Sequence, residues 1–186
     1  MTKPLSVAVI GAGMAGRTHA QAYRLASTVY GLDLPPIRLA AIADVHEPFA
    51  ADCARRYGYE RHETDWRAIA AADDIDAVSI VVGNALHREI AEALVAAGKH
   101  VLCEKPLAAD LADAEAMAEL EAGADVVTAV GYCYRRSPGI AAIAGLRVES
   151  IGSVTPGRYR PAAATIDQPE FLLIASRPGE SSGYRS

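Results

Sequence analysis

The sequence predicts an α/β fold with a doubly wound parallel sheet, and three observations support this prediction. Short apolar stretches alternate with segments of helical periodicity from residue 5 to about residue 130. The first apolar stretch, Val7 to Ile10, runs directly into a turn with three spaced glycines and then a helix. About half of the 186 residues are apolar, which is enough for a substantial core. Strands that alternate with helices in this way are typical of parallel pairing with helical crossovers.

The turn after the first strand has the features of an anion-binding corner. Gly11 permits a tight turn, Gly13 lets the backbone approach a pyrophosphate, and Gly16 lets the next helix pack closely. The phosphates would lie over the helix N-terminus near Met14 and Ala15, where N–H groups lack partners and the helix dipole is positive. Spaced glycines also occur in packing turns and in some methyltransferases, so this turn alone does not identify a cofactor.

The remaining elements follow in chain order. Helical spacing extends from Met14 to about Ser27, and a polar segment at 28–36 separates that helix from the next strand. The apolar run at 77–82 is typical of a strand covered on both faces. Further strands are predicted at 37–43, 77–82, 100–103 and 126–130. Further helices are predicted at 47–57, at 65–69 with Thr64 or Asp65 as the cap, from after Asn84 to Gly98, and from Asp110 to about Ala122.

Asp44 is the candidate ligand of an adenosine ribose. It directly follows the second strand, where dinucleotide-binding folds place an acid. It lies farther from the glycines than the usual distance of about 20 residues, and the polar segment at 28–36 accounts for the excess. A carboxylate bonds the ribose 2′-hydroxyl and repels a 2′-phosphate, and Val45 and His46 offer no arginine. We therefore expect NAD rather than NADP; the alternative is a solvated strand end.

The composition excludes several classes of protein. A net charge of −5 without a basic cluster argues against a nucleic-acid partner. The widely spaced Cys53, Cys103 and Cys133 form no CxxC pair, so we expect buried thiols rather than disulfides, and no metal site. No apolar run reaches the roughly 20 residues that span a bilayer, and no signal-peptide core is present. We expect a cytoplasmic protein that does not bind membranes.

The most specific motif is Gly-Lys-His-Val-Leu-Cys-Glu-Lys-Pro at residues 98–106, which begins before one predicted strand and ends after it. Other motifs are, in order, the glycine turn, Asp44, Asp76-Ala77-Val78, the corner from Asn84 to His87, and Gly131-Tyr132 followed by Arg135 and Pro138. With these motifs the chain resembles, over about residues 5 to 155, the glucose-fructose oxidoreductase, inositol dehydrogenase and MocA family of NAD(P)-dependent oxidoreductases. The resemblance implies a Rossmann fold for the predicted sheet.

The resemblance implies hydride transfer between a nicotinamide and a sugar, a cyclic polyol or a related carbonyl compound. Lys105 matches the family's catalytic lysine, whose ammonium stabilises charge on the reacting oxygen and passes a proton. Three further candidates have an alternative interpretation: Asn84 as a helix cap, His87 as a structural or exposed residue, and Arg135 as part of a solvated pair with Arg136. The candidate cofactor-binding residues are Gly11, Gly13, Met14, Ala15, Gly16, Asp44, Asn84, His87, Glu104, Lys105 and Arg135.

We divide the chain into a dinucleotide-binding domain, 1–133, and a linker with a short remnant of a second α/β domain, 134–186. In the resembling family that second domain supplies much of the substrate site, a catalytic histidine and often an oligomer interface. Only a turn-rich tail, expected to be loosely ordered, follows Thr155 here, so truncation, a shifted reading frame and a natural short form are all open. We expect exposed apolar surface and self-association into a homo-oligomer. The alternative to an enzyme is an NAD-binding module without turnover.

Overall fold

The computed structural model of the protein describes residues 3–29, 35–120, 125–133, 147–152 and 172–176. The chain forms two units, Met1–Gly131 and Tyr132–Ser186. The first unit contains β1 (Leu5–Ile10), α1 (Met14–Val29), β2 (Ile37–Ala43), α2 (Glu47–Tyr57), β3 (Arg61–Glu63), α3 (Trp66–Ala71), β4 (Ala77–Ile80), a 3₁₀ turn (Asn84–Leu86), α4 (His87–Ala96), β5 (His100–Cys103), α5 (Leu111–Glu119) and β6 (Thr128–Val130).

The strands of the first unit form one parallel sheet in the order β3-β2-β1-β4-β5-β6. The chain builds outward from β1 in one direction and then, from β4 onward, in the other. Ligands of open parallel sheets bind beyond the carboxyl ends of the strands at such a reversal. The sheet therefore confirms the predicted fold class and locates its crevice beside β1 and β4.

The core lies on both faces of the sheet. In β1, Val7 and Val9 belong to the cluster packed against α1 and α2, whereas Ala8 and Ile10 belong to the cluster packed against α3, α4 and α5. Successive side chains of a strand point to opposite faces, so a strand buried on both faces needs an unbroken apolar run. This requirement explains the continuous apolar run of β1.

Several predicted boundaries need correction. β3 was missed because its residues are charged or polar, and its place depends on pairing with β2 from Ala41↔Arg61 to Ala43↔Glu63. β4 ends at Ile80 and β6 begins at Thr128, so both are shorter than the apolar runs that predicted them. Asp65 and Asp110 cap α3 and α5 by accepting backbone N–H bonds, as expected.

The second unit contains β7 (Arg147–Gly152) and β8 (Leu172–Ser176), which pair antiparallel. The expectation of little regular structure after residue 155 is wrong for β8, whose ladder partner lies on the far side of a long connection. The turn-forming residues between the two strands concealed this pairing.

Cysteine burial follows the prediction in part. Cys53 and Cys103 are buried, but Cys133 is exposed. Burial raises the pKa of the Cys53 thiol, and it raises the pKa of Cys103 to about 12 with a further contribution from the nearby Glu104 charge.

Within the described residues, no helix has the length and apolar character to cross a membrane. Those same residues contain no cluster of His, Cys, Asp or Glu suited to a metal ion.

Candidate cofactor site at the carboxyl edge of the sheet

A cleft with a volume of about 370 Å³ opens beyond the carboxyl ends of β1, β2 and β4. Apolar side chains form most of its walls, and the glycine turn, the Asp44 carboxylate and Thr64 form its polar part. Small-molecule sites commonly combine an apolar cavity with a few placed polar groups. The cleft is lined by Ile10, Gly11, Gly13, Ala43, Asp44, Val45, Thr64, Trp66, Val81, Val82, Gly83, Leu86 and Ile90.

The three glycines of the turn have different roles. Gly11 has a φ of +106°, and a Cβ there would overlap the carbonyl oxygen of Val81. A Cβ at Gly16 would overlap the carbonyl oxygen of Gly11. Gly13 has no protein atom within 4 Å of the place its Cβ would occupy, and it is exposed. Two glycines therefore close the turn, and the third leaves space in front of the backbone.

The N-terminus of α1 is prepared for a negative group. The first amides of a helix have no intrahelical acceptor, and the aligned dipole makes this end positive. The first turn of α1 contains no acidic residue, whereas those of α2, α4 and α5 each contain one. Met14 and Ala15 are exposed at this end. The open space at Gly13 thus faces a helix N-terminus without an acid in its own first turn, which fits a pyrophosphate.

The Asp44 carboxylate is fixed at the side of the turn. Its Oδ2 accepts the backbone N–H of Ala12 at 2.7 Å, and its Oδ1 accepts that of His46 at 2.9 Å. The side chain is half-buried and lines the cleft. Ionised carboxylates have about four acceptor positions, so both oxygens retain capacity for a hydroxyl donor. The geometry suits a ribose and disfavours an additional phosphate.

Glu104 and Lys105 extend β5 into the same edge. The Glu104 amide donates to the carbonyl of Ile80 at 3.0 Å, which ties this segment to β4. The Glu104 Oε2 accepts the backbone N–H of Lys105 at 3.0 Å, and its Oε1 lies 3.1 Å from Nε2 of His19. The Lys105 side chain is exposed, and the Lys105–Pro106 peptide is cis.

His87 is a structural residue in this geometry. Its side chain is 1% exposed, and its Nε2 lies 3.1 Å from the carbonyl oxygen of Val82. Its Nδ1 lies 3.1 Å and 3.2 Å from the carbonyl oxygens of Pro106 and Leu107. The imidazole thus bridges the end of β4 and the segment after Lys105. This arrangement supports the structural alternative rather than direct cofactor contact.

Asn84 is not a helix cap, contrary to one of its two interpretations. It begins the 3₁₀ turn, whose cap is Gly83, and neither that turn nor α4 has a side-chain cap bond. Its Nδ2 instead makes a long contact of 3.5 Å with the carbonyl of Ala108. Arg135, the last candidate, lies outside the described residues.

The first half of the motif at 98–106 lies at the opposite edge of the sheet. Lys99 is 5% exposed, and its Nζ donates to the carbonyls of Ala72 at 2.7 Å and Ile75 at 3.0 Å. The Nδ1 of His100 accepts the backbone N–H of Val127 at 2.9 Å. The motif therefore has a structural half and a half that faces the crevice.

Three residues that the sequence did not predict as part of the site lie behind Glu104. His19 and Tyr23 come from α1, and Ser79 comes from β4. Ser79 Oγ lies 3.2 Å from Nδ1 of His19 and 2.8 Å from the Tyr23 hydroxyl. Two signals were present: His19 and Tyr23 stand one helical turn apart, and Ser79 is a lone polar residue in a buried strand.

Comparison with known proteins supports the identity of this site. The family model described as "Oxidoreductase family, NAD-binding Rossmann fold" matches residues 5–132. Levoglucosan dehydrogenase of Pseudarthrobacter phenanthrenivorans is 40% identical over 139 residues, which cover 74% of this chain and 35% of that protein. Myo-inositol 2-dehydrogenase of Thermotoga maritima is 31% identical over 128 residues, covering 69% and 36%.

A solved structure of levoglucosan dehydrogenase in complex with NADH superposes with a TM-score of 0.71 at 35% identity, covering 81% of this chain and 42% of that one. The chain thus spans well under half the length of these relatives. The match over 5–132 covers the parallel sheet and its crevice, and it confirms the expected NAD cofactor at the level of the family. The chain belongs to the glucose-fructose oxidoreductase, inositol dehydrogenase and MocA family of oxidoreductases, with its NAD-binding Rossmann fold.

Proposed function

We propose that this chain supplies the cofactor half of an NAD-dependent oxidoreductase, which transfers a hydride between the nicotinamide and a sugar, a cyclic polyol or a related carbonyl compound. One observation carries the proposal. The open glycine turn follows β1 and Lys105 follows β5, and because these two strands flank β4, both features lie at the same edge of the sheet. The substrate class is supported by relatives named for levoglucosan and myo-inositol. When bound, NAD supplies the acceptor or donor of the hydride.

The phosphate and ribose end of the site is proposed as follows. Gly11 and Gly16 shape the turn, and the amides of Gly13, Met14 and Ala15 bind the pyrophosphate. The support is the open space at Gly13 and the absence of an acid from the first turn of α1. The Asp44 carboxylate accepts the hydroxyls of the adenosine ribose, and its charge repels a 2′-phosphate.

The reacting end is proposed to lie at Glu104 and Lys105, with Asn84 and Arg135 as further cofactor contacts. Lys105 is the proposed catalytic residue, because an exposed ammonium beside the crevice can stabilise charge on a substrate oxygen and exchange a proton with it. His87 contributes indirectly, since it contacts the backbone on the far side of Pro106.

We also propose the division into a dinucleotide-binding domain at 1–133 and the start of a substrate domain at 134–186. The match of the family model to residues 5–132 supports the first part.

We propose in addition that the protein is cytoplasmic and forms a homo-oligomer. Exposed apolar side chains at Leu111, on α5, and Val127, before β6, support self-association. Size-exclusion chromatography tests it, and a monomer at high concentration would contradict it.

A second candidate function is binding of NAD without turnover. The observation that favours it is coverage: this chain matches 35% to 42% of the length of these relatives, and the resemblance assigns much of the substrate site to a second domain. A residue set confined to the carboxyl edge of one sheet can hold a cofactor while leaving the substrate unselected. Polyol-dependent reduction of NAD is expected under the first proposal and forbidden under the second.

Fluorescence titration with NADH and NADPH tests both proposals at the level of cofactor binding. We expect NADH to bind more tightly than NADPH, and Asp44→Ala to reduce that preference by about tenfold, the factor that corresponds to about 1.4 kcal/mol. Asp110→Ala is the matched control, because it removes a capping carboxylate from α5, outside the cleft. Absence of NADH binding by the unmodified chain, with its circular dichroism intact, would overturn the proposal.

A turnover screen then separates the two candidates. The unmodified chain and Lys105→Met are incubated with NAD and with levoglucosan or myo-inositol, and NADH absorbance is followed. Turnover that disappears in Lys105→Met supports the oxidoreductase. Cofactor binding without turnover on any polyol supports the binding module.

A further inference from the structure

A chain of hydrogen bonds runs from the interior of the first unit to the Glu104 carboxylate. Tyr23 contacts Ser79, Ser79 contacts Nδ1 of His19, and Nε2 of His19 contacts Oε1 of Glu104 at 2.8, 3.2 and 3.1 Å in that order. Ser79 is fully buried, and the His19 and Glu104 side chains are 16% and 20% exposed. This chain joins α1, β4 and the end of β5 behind the proposed reacting end.

With a neutral His19 and an ionised Glu104, the chemistry of the four groups sets the direction of each bond. A carboxylate only accepts, so Nε2 of His19 must donate to Glu104. In a neutral imidazole Nδ1 is then the acceptor, and the Ser79 hydroxyl donates to it. The Ser79 oxygen is left to accept from Tyr23. Burial raises the pKa of the Tyr23 hydroxyl, which keeps it protonated and able to donate.

Glu104 is confined on two further sides. The Lys105 amide donates to Oε2, so the two carboxylate oxygens are held by different partners. A Cβ on Gly131 would lie 2.5 Å from Oε1, so the missing side chain at that position leaves room for the carboxylate. A carboxylate at the mouth of a crevice would otherwise move among rotamers. Its confinement here is built from α1, β4, β5 and the residue after β6.

We propose that His19 is a positioning residue, which holds the Glu104 carboxylate and through it the Lys105 backbone at the reacting end of the site, with Ser79 and Tyr23 fixing the His19 tautomer. The inference rests on the proposed function for its effect on NADH. Its structural content does not depend on the cofactor, because each bond exists within the protein itself.

Two substitutions of His19 separate positioning from packing. The amide nitrogen of Gln occupies a place equivalent to Nε2 of His, and that of Asn a place equivalent to Nδ1. His19→Gln therefore keeps a donor for Glu104, whereas His19→Asn loses it. We expect His19→Asn to weaken NADH binding by about tenfold, because the released Glu104 carboxylate no longer holds the Lys105 backbone at the reacting end. We expect His19→Gln to stay within about threefold of the unmodified chain.

Gly131→Ala tests the same carboxylate without changing His19. The added Cβ meets the flexible end of Glu104 rather than backbone, so the variant should fold and displace the carboxylate. We expect it to weaken NADH binding as His19→Asn does. Ile69→Val is the stability control, because it removes one methyl group from a buried side chain of α3 that does not line the cleft. An equal loss of NADH affinity in Ile69→Val would overturn the inference.

NMR of the chain without cofactor completes the test. We expect Nε2 of His19 to show the ¹⁵N shift of a protonated nitrogen, and the Lys105 amide proton to move in His19→Asn and Gly131→Ala but not in His19→Gln. An unprotonated Nε2 of His19, or a Lys105 amide proton shift that is unchanged in His19→Asn, overturns the inference. These signals do not require NADH, so failure of the proposed function leaves this test intact.

Discussion

Lys99 and Lys105 belong to one motif but occupy opposite edges of the sheet, and their surroundings differ completely. Lys99 is buried at the amino edge, where its ammonium donates to two carbonyls. Lys105 is exposed at the carboxyl edge, and its hydrogen bond in the described part of the chain is made by its backbone. A family motif can therefore contain a residue that stabilises the fold and a residue available for chemistry, and only position along the strand distinguishes them.

The same contrast extends to the charges at each edge. At the amino edge Arg38 binds Glu60 and Asp74, and Arg61 binds Asp74 at 2.9 Å and Glu63 at 3.2 Å. At the carboxyl edge the first turn of α1 carries no acid, and Lys105 is exposed. Other cations of the carboxyl edge are paired, such as Arg17 with Asp52 and Arg88 with Asp113, both at 2.9 Å, but the glycine turn and Lys105 leave positive groups for a ligand. Substitutions should therefore change stability at the amino edge and binding at the carboxyl edge.

Lys99→Met should give the largest effect. It leaves the buried carbonyl of Ile75 without the Lys99 donor, and it leaves the part-buried carbonyl of Ala72 with only the long 3.4 Å bond from the Ile75 amide, so we expect a loss of about 3 kcal/mol in the free energy of unfolding. Lys105→Met, the matched change at the other edge, should stay within about 0.5 kcal/mol. Urea denaturation measures both. Equal losses in the two variants would show that the edges do not differ.

Two glycine substitutions test the contrast in the other direction. Gly13→Ala places a Cβ in open space, so we expect unchanged stability and NADH binding weaker by tenfold or more, about 1.4 kcal/mol. Gly98→Ala, before β5, forces alanine into a φ of +72° and should cost about 1 kcal/mol of stability with no change in NADH binding. Urea denaturation measures the stability of both variants, and NADH titration measures their cofactor affinity. A stability loss in Gly13→Ala would contradict it.

The acid dependence of stability gives the smallest effect. Hydrogen bonds from Arg61, and then from Arg38, lower the pKa of Asp74 to about 2. A carboxyl whose pKa is lower in the folded state contributes stability above its unfolded pKa, near 4, and that contribution is lost as pH falls toward 2. We expect Asp74→Asn to reduce the fall in the urea midpoint between pH 5 and pH 2.5.

Asp73→Asn is the control for this prediction. It removes the same charge, and Asp73 makes no ion pair within the described ranges. Added salt should shrink the difference between the two variants, because Asp74 is exposed to solvent. Identical pH profiles for Asp74→Asn and the unmodified chain would exclude a role for these pairs.

The sequence predicted the elements whose burial is encoded locally. β2, β5 and α2 have the predicted bounds, because an apolar run or a helical period marks each of them. β3 could not be predicted, since Arg-His-Glu has no strand pattern and depends on pairing with β2. The second unit's β7 and β8 were not predicted because turn-forming residues dominate the sequence between them, although Leu172 to Ala175 is an apolar run.

The site was predictable at its backbone and less so at its side chains. Gly11, Gly13 and Gly16 could be assigned because the turn geometry requires them. The bonds of His19 could not, since its partners come from β4 and β5, far away in sequence. His87 shows the same limit: a histidine near a crevice suggests a ligand, and only the fold reveals that backbone carbonyls surround its ring.

The contact between Gly16 and the Gly11 carbonyl has a consequence for mutational tolerance. Because a side chain at Gly16 overlaps backbone in the protein alone, substitution there should lower the soluble abundance of the protein in cells. Gly13, three residues earlier in the same turn, should tolerate alanine with full abundance. In a library of variants scored separately for protein abundance and for cofactor binding, substitutions of Gly16 should lower abundance. Substitutions of Gly13 should lower cofactor binding at normal abundance.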